Sequence, residues 1–177
     1  MIKNELTLVI PALSHKQDAM DFRQEWLDKE PGESIHGSGG LHRYENYEEW
    51  LEMITNAQKT ASFDWVLLTQ YFGIYNGKII GTIQIRHYLN DFLLRSGGHI
   101  GYSIRPTERR KGYGAQTLNL ALDYCKRLGL KKIMLGCYKD NIASVKTIEK
   151  CGGVCEKEIT YIDGKPVLIY WIQIENK

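Results

Sequence analysis

The charge balance of this chain excludes proteins that bind polyanions over a wide basic surface. Its 177 residues include 23 Lys and Arg against 21 Asp and Glu, a formal net charge of +2. With 43% hydrophobic and 25% charged residues, the composition is that of an ordinary globular protein with one substantial core. We therefore expect one domain over residues 1–177, no nucleic-acid partner, and anion binding only at a local site.

The N-terminal segment and the cysteines indicate the compartment. The apolar stretch near the N-terminus is interrupted by Glu5 and Thr7, falls far short of the ~20 residues of a membrane span, and lacks a signal-peptide pattern. The cysteines contain no C-x-x-C pair and favour buried free thiols over a zinc site. They are Cys125, Cys137, Cys151 and Cys155. We expect no metal, no membrane partner and a location in the reducing cytoplasm.

The N-terminal part predicts a strand followed by two helices. Residues 5–13, ELTLVIPAL, have the composition of a strand, and Pro11 helps to end it. Ser14 and Gln17 form a capping box before the first helix. Asn46 and Glu49 form a second capping box before an amphipathic helix. A glycine-rich loop joins the two helices.

The middle of the chain predicts three strands. Residues 65–89 are rich in β-branched and aromatic side chains, and Asn76-Gly77 within them favours a two-residue type I′ hairpin. After a loop, the segment HIGYSIRP predicts a third strand that ends at Pro106. These strands are expected to pair antiparallel.

The C-terminal part predicts two helices and three strands. A helix runs from about Gly114 to Leu128, KKIMLGCY forms a buried strand, and DNIASVKTIEKCGG forms a short helix capped by Asp140 or Asn141. A hairpin around Asp163-Gly164 closes the chain. Its last strand, VLIYWIQI, is apolar enough for the core or for a homodimer contact.

The element order predicts a mixed α/β (α+β) fold in a single domain. The sheet is expected to be mostly antiparallel, with a central parallel pair that flanks the helix starting near Gly114 and is linked by a right-handed crossover.

The segment RRKGYG, residues 109–114, predicts an anion site at the start of that helix. The first N–H groups of a helix have no intrahelical acceptor, and Gly112 and Gly114 let a phosphate approach the backbone closely. Neither a Walker loop nor a Rossmann fingerprint matches, because Ala115 follows Gly114 and Thr117 stands where a third glycine is needed. The alternative is a solvated basic turn.

Two motifs make the chain resemble the GNAT superfamily of acyl-coenzyme A-dependent N-acetyltransferases. The pattern [QR]-x-x-G-x-[GA] after a strand is matched by Arg109, Gly112 and Gly114. The pattern N-x-x-[AS] on a short helix after the next strand is matched by Asn141 and Ser144. The order of elements is similar to the family along nearly the whole chain.

The resemblance implies acetyl-CoA as cosubstrate and a set of residues that bind it. Backbone amides from Lys111 to Ala115 would hold the pyrophosphate, and the pantetheine arm would lie where the central strands splay apart. Asn141 would bond the pantetheine or the splayed backbone, and Ser144 would lie near the distal part of the cofactor. The implied residues are Tyr102, Ser103, Ile104, Arg109, Arg110, Lys111, Gly112, Tyr113, Gly114, Ala115, Asn141 and Ser144.

The resemblance also implies direct attack of a primary amine, of a small molecule or peptide, on the thioester, with the oxyanion held by backbone N–H near Tyr102. The family's tyrosine acid is replaced here by Ile148. The candidate bases are His99 and His87, each with the alternative of a structural histidine. Glu30 and Glu33 in the loop between the first two helices are candidates for binding a cationic amine. The competing hypothesis is a non-catalytic acyl-CoA-binding sensor on the same fold.

Overall fold

The predicted elements form in the predicted order. The computed structural model describes residues 5–61 and 65–174, so the two ends and a short internal part of the predicted domain lie outside the described residues. The helices are α1 (Lys16–Lys29), α2 (Tyr47–Lys59), α3 (Tyr113–Arg127) and α4 (Ile142–Lys150). The strands are β1 (Thr7–Val9), β2 (Leu68–Tyr75), β3 (Lys78–Arg86), β4 (Ile100–Ile104), β5 (Lys132–Tyr138), β6 (Val154–Thr160) and β7 (Pro166–Gln173).

The helix starts show where local sequence decides structure and where it does not. The side chain of Asn46 accepts hydrogen bonds from the N–H groups of Glu48 and Glu49, which confirms the predicted cap of α2. The predicted cap by Ser14 is wrong. Residues 13–15 form a 3-10 turn instead, in which His15 Nδ1 accepts from Ala12 N, and α1 begins only at Lys16.

The strands are divided between two antiparallel sheets. One has the order β1-β2-β3-β4 and the other β5-β7-β6. The β2–β3 hairpin turns at Asn76 and Gly77, which both have positive φ as a type I′ turn requires. Strand β7 pairs with β5 on one side and β6 on the other, so its apolar residues belong to the core of the protein.

The predicted parallel pair does not form a ladder. In the described ranges, no residue of β4 pairs with β5, and the bridge between the two segments joins Gly98, just before β4, to Leu135 with the antiparallel pattern. The turn Leu93–Gly97 lies against β5 so closely that a Cβ on Gly136 would stand 2.0 Å from the carbonyl oxygen of Ser96. The two sheets therefore diverge from this point, and the mixed α/β fold class is confirmed with a gap at its centre.

Helices cover both faces of the first sheet. On one face α1 and α2 bury Phe22 and Trp50 against Phe72 of β2. On the other face α3 and α4 pack Leu118 and Ile148 into a core shared with the strands on both sides of the gap. The cysteines are free thiols as predicted, but Cys155 is exposed rather than buried, because β6 is the outer strand of its sheet.

Candidate functional site

The N-terminus of α3 is free of side-chain caps and points into a large cavity. Gly112 precedes the helix in the left-handed conformation, with φ of 82°, and no side chain caps the first turn. Arg110 also has positive φ, 65°. Positive φ at alternate residues turns successive N–H groups toward one point, which suits the binding of an anion. The backbone of the 109–115 segment therefore presents donors that the fold itself does not use.

The basic residues before α3 differ in what they contact. The Arg109 side chain forms an ion pair with Glu30 and stacks on Trp26, with its guanidinium 5.1 Å from the ring centroid. Lys111 pairs with Glu108 at 2.8 Å. Both charges are thus partly compensated within the protein. Arg110 is exposed and forms no ion pair with any described residue, which leaves it as the cation of this segment with the most charge to offer a ligand.

The register of β4 leaves part of its backbone unpaired toward the gap. Arg86 N donates to His99 O and Arg105 N donates to Ile80 O, both at 2.8 Å, so hydrogen-bonded pairs with β3 alternate along β4 from these points. Tyr102 and Ile104 occupy the intervening positions, where N–H and C=O point away from β3. These groups face the gap, as the resemblance implies for a pantetheine arm.

Asn141 and Ser144 stand at the same gap, on the side of α4. Asn141 Oδ1 accepts from Ser144 N at 3.1 Å, so Asn141 caps α4 whatever else it binds. Ser144 Oγ lies 3.2 Å from the hydroxyl of Tyr102. Burial raises the pKa of Tyr102, so that hydroxyl keeps its proton at neutral pH. Ile148, one turn further along α4, is buried and offers no titrating group.

The larger of two neighbouring cavities has a volume of about 780 Å³ and runs from the start of α3 to the gap. All the predicted cofactor residues except Lys111 line it. The sequence reasoning missed Lys146, Lys150 and Lys165, which also line it and add positive charge. The spacing of Lys146 and Lys150 on α4, beside Ser144, was the signal for two of them, whereas Lys165 comes from a distant hairpin.

The smaller cavity, of about 260 Å³, lies on the other side of the gap. Its floor contains the buried apolar residues Leu93, Leu135 and Ile148. Aromatic side chains, one arginine, Arg86, and polar side chains such as Asn141 and Ser144 also line it. The aromatic residues are Trp65, Phe92, Tyr102, Tyr138 and Tyr161.

His36 lies where the two cavities meet and lines both. Its main-chain carbonyl accepts from Ser103 Oγ at 2.8 Å, and the next carbonyl, of Gly37, accepts from Gln70 Nε2 and Thr82 Oγ1. The side chain itself is exposed to the cavities. Desolvation by the surrounding protein lowers the pKa of His36 below 6.5, opposed by Glu33 and reinforced by Arg86. The imidazole is therefore neutral at physiological pH.

The loop that carries His36 approaches β4 at a contact that tolerates no side chain. A Cβ on Gly37, where φ is +68°, would stand 1.9 Å from the carbonyl oxygen of Gly101. The backbone of the loop thus rests directly on the backbone of β4. This contact places His36 beside the unpaired groups of Tyr102, and no sequence signal links the two segments.

The predicted catalytic histidines, His99 and His87, line neither cavity. The ring atom Nδ1 of His99 accepts from Met134 N at 3.0 Å, and the main-chain N–H of His99 donates to Met134 O at 2.8 Å. Burial, with Arg86 nearby, lowers the pKa of His99 to about 4. His87 Nε2 bonds Thr69 Oγ1 at 2.8 Å, and burial lowers the pKa of His87. Both rings thus have structural partners.

The predicted substrate residues Glu30 and Glu33 line the larger cavity. Glu30 is engaged by Arg109, whereas Glu33 forms no ion pair with a described residue and acts electrostatically on His36. Tyr138 donates to Asp163 at 2.8 Å, and burial raises the pKa of Tyr138 to about 12. Within residues 5–61 and 65–174, no cluster of three His, Cys, Asp or Glu side chains could hold a metal ion, and no helix is long and apolar enough to cross a membrane.

Comparisons with known proteins agree with this arrangement. A sequence model of the acetyltransferase (GNAT) domain matches residues 7–154. A search of curated proteins found no match.

Among solved structures, the chain is similar to RimL, a ribosomal L7/L12 alpha-N-protein acetyltransferase in complex with coenzyme A, with a TM-score of 0.72 and 16% identity over 100% of this chain and 98% of that one. It is similar to the microcin C7 self-immunity acetyltransferase MccE in complex with acetyl-CoA and AMP, with a TM-score of 0.71 and 18% identity over 97% and 94%. It is also similar to a dodecameric spermidine N-acetyltransferase of Vibrio cholerae, with a TM-score of 0.65 and 22% identity over 96% and 94%.

These likenesses support the fold, and the domain match spans most of the chain. The chain belongs to the GNAT acetyltransferase family.

Proposed function

We propose that the protein is an N-acetyltransferase that moves an acetyl group from acetyl-CoA to the primary amine of a small molecule or peptide. The observation that carries the proposal is the uncapped start of α3, which opens into a cavity leading to the unpaired backbone of β4. The solved relatives RimL and MccE are described in complex with coenzyme A and acetyl-CoA, respectively.

The residues present fit the cofactor. Backbone N–H groups of the 112–115 segment would bind its pyrophosphate, with Arg110 and the lysines of α4 beside them. Backbone groups of Tyr102 and Ile104 would bind the extended amide arm, in the manner of an added strand. When bound, acetyl-CoA supplies the acetyl thioester.

His36 is our proposed general base. An alkyl amine has a pKa near ~10 and arrives protonated, so a group at the junction of the cavities must take its proton, directly or through water. His36 is neutral, exposed to both cavities and held by the hydrogen bonds of its loop. The N–H of Tyr102 points into the gap, where it can stabilise negative charge that develops on a reacting oxygen.

A second candidate is the non-catalytic acyl-CoA sensor. The burial of Ile148 favours it, because the family's tyrosine is absent there and the chain offers no titrating side chain at that position. The sensor would bind acetyl-CoA without turning over any amine. A homodimer and a cytoplasmic location also remain predictions from the sequence.

The test combines calorimetry with an amine panel. Wild type is expected to bind acetyl-CoA and to release free thiol with at least one amine. Gly112→Asp should abolish binding, because a carboxylate would then stand at the proposed phosphate site. The matched control is Gly129→Asp at the other end of α3, since φ is +80° there and +82° at Gly112. Binding without turnover would favour the sensor, and absence of binding by wild type would reject both functions.

A further inference from the structure

Arg86 is a half-buried arginine that forms no ion pair with any residue that the structure describes. Arg105, which is more deeply buried, is paired with Asp18 at 2.8 Å and Glu25 at 2.7 Å. No ion pair of Arg86 forms within the described ranges, and its Nε is buried with no hydrogen-bond partner. An unpaired buried charge destabilises a fold by several kcal/mol. Arg86 thus lacks, among the described residues, the ion pairs that stabilise Arg105.

The hydrogen bonds that Arg86 does form leave one edge of its guanidinium unused. Nη1 donates to the carbonyl oxygens of Gly97 and Gly98, at 3.0 and 3.1 Å. Neither Nε nor Nη2 donates to a described residue. Nη2 lies beside β4, 3.5 Å from where a Cβ of Gly101 would stand. Because Nε is fully buried, Nη2 is the free donor of Arg86 that an anion in the smaller cavity can reach.

The described surroundings of Arg86 favour an anion. No Asp or Glu is among the described residues that line the smaller cavity. Burial lowers the pKa of Arg86 to about 10, which still leaves it charged at neutral pH. Its guanidinium lies 5.7 Å from the ring centroid of Trp65, which shields it from water. A carboxylate entering this cavity would meet one fixed cation in a medium of low polarity.

An acidic side chain lies near His36. Glu33 lines the larger cavity, forms no ion pair with a described residue and acts electrostatically on His36, so a protonated amine would be stabilised near it. Arg86 lies in the smaller cavity, close enough to His36 to lower its pKa. The volume of about 260 Å³ and the apolar floor suit a compact molecule with an apolar side chain.

We propose that the acceptor is a small amine that also carries a carboxylate, of the size of an apolar amino acid, and that Arg86 binds that carboxylate. The inference rests on the proposed function and narrows it to one class of acceptor. The amine would lie toward His36, and the carboxylate would accept a hydrogen bond from Nη2 of Arg86. Peptide N-termini, in which an amide replaces this carboxylate, would be poor acceptors.

The test compares acceptors that differ only in the carboxylate. Leucine, methionine and phenylalanine are each assayed beside the corresponding primary amide and decarboxylated amine, at matched free-amine concentration. Wild type is expected to prefer the acids in kcat/KM by roughly 10- to 100-fold, the range for a hydrogen bond to a charged group. Arg86→Gln should lower kcat/KM for the acids to the level of the amides and change the amides by less than about threefold.

A binding measurement separates this proposal from the proposed function. Calorimetry of the amino acids against protein saturated with coenzyme A should show binding to wild type and to the control Arg127→Gln, an exposed arginine remote from both cavities, but not to Arg86→Gln. Acid binding that depends on Arg86, without turnover, would reject the enzyme and keep the inference. Turnover of amines with no preference for the acids would support the enzyme and reject the inference.

A purely structural role of Arg86 gives a different pattern. If Arg86 only anchors the Gly97 and Gly98 carbonyls, Arg86→Gln lowers kcat/KM for acids and amides equally, and the inference is wrong. Affinity for coenzyme A reports whether the variant is folded. Should Arg86→Gln fail to fold, Arg86→Lys and the acid-to-amide ratio of wild type decide the question. A stronger preference for aminoalkylphosphonates than for the amino acids would overturn the assignment to a carboxylate.

Discussion

His36 owes its proposed role to where its loop is held rather than to its own chemistry. Three side chains of the sheet, Ser103, Gln70 and Thr82, hold the carbonyls of His36 and Gly37. The ring is thereby kept at the junction of the cavities, neutral and exposed. Of the described titratable side chains that line both cavities, His36, Tyr102 and Tyr138, His36 is the exposed one.

We predict that His36→Gln lowers kcat/KM by roughly 10²- to 10⁴-fold, the usual loss for a general base. The pKa of His36 lies below 6.5, so the wild-type base is neutral above that value and becomes protonated as the pH falls. Wild-type kcat/KM should therefore decline in acid below pH 6.5, and the variant should lose this decline. The measurement is kcat/KM against pH, corrected for the free amine. Loss of the acidic limb in His87→Gln with its retention in His36→Gln would show that the base is elsewhere.

Local and distant signals explain which site residues could be predicted. Gly112 and Asn141 follow from neighbouring sequence, because a left-handed residue before a helix and a cap at its first turn are local requirements. The place of His36 depends on Ser103, 67 residues away, and on backbone contact with Gly101. The role proposed for Arg86 was not predictable, because its lack of an ion-pair partner among the described residues is a property of the folded chain.

The helix α1 holds the segment that leads into the turn proposed to bind phosphate. Glu25 accepts from Arg105 Nε at 2.7 Å and from both the N–H and the hydroxyl of Thr107. Asp18 accepts from Arg105 and from Ile79 N. The carboxylates of one helix thus fix the exit of β4, just before residues 109–115. Ion pairing within the fold, rather than ligand binding, is the role of this cluster.

We predict that Glu25→Gln destabilises the protein by about 2–3 kcal/mol at pH 7. Breaking a buried ion pair costs ~3–5 kcal/mol, and here Asp18 remains as a partner of Arg105. Burial acts to raise the pKa of Glu25, but the hydrogen bonds from Arg105 and Thr107 outweigh it, and the folded pKa lies below 4.5. This stabilisation is present above pH 4.5 and is lost as the pH falls through the folded value.

Urea unfolding at several pH values tests this prediction. The difference between wild type and Glu25→Gln should be largest at neutral pH and should shrink in acid. The control Asp28→Asn removes an exposed carboxylate of the same helix and should change stability by less than about 0.5 kcal/mol. A gap between wild type and Glu25→Gln that stayed constant down to pH 3 would contradict the assignment.

The helices and strands were easier to predict from the sequence than the way in which the strands pair. Helices and hairpins depend on periodicity and turn residues, so α2, α3 and the β2–β3 hairpin appear where the pattern places them. The parallel ladder was not found, because β4 and β5 are separated by the turn Leu93–Gly97 packed against Gly136. The close approach of two backbone segments is set by tertiary structure and has no local signature.

Across the whole molecule, His99 joins the two sheets. It receives a hydrogen bond from Met134 N and gives one to Met134 O, at the point where β4 and β5 diverge. Its ring also meets Trp171 of β7 edge-on. A buried neutral imidazole is required for this contact, because protonated His99 could not accept from Met134.

We predict that His99→Ala destabilises the protein at pH 7 and that the difference from wild type shrinks in acid. The pKa of His99 is about 4 in the fold against 6.5 in the unfolded chain. The unfolded chain therefore binds more protons between these values, and wild type loses stability as the pH falls from 6.5 to 4, by about 3 kcal/mol from this group. His99→Ala should not show this loss of stability.

Thermal unfolding with calorimetry between pH 4 and 7.5 measures the effect. His36, His42 and His87 also have lowered pKa values, so both proteins keep some pH dependence from them. The difference in stability between wild type and His99→Ala at each pH isolates the contribution of His99. Identical pH slopes in the two proteins would mean that His99 is not the buried neutral group described.

The point where the two sheets diverge is formed by main chain rather than by side chains. Gly98 and Gly136 bring backbone against backbone there, and Gly37 does the same beside β4. The divergence of β4 and β5 consequently depends on glycine backbone at these positions. Gly37 and Gly136 also line the smaller cavity, together with side chains such as Arg86, Trp65 and Phe92. Substitution of those side chains should therefore change what the smaller cavity accepts while the backbone contacts are kept.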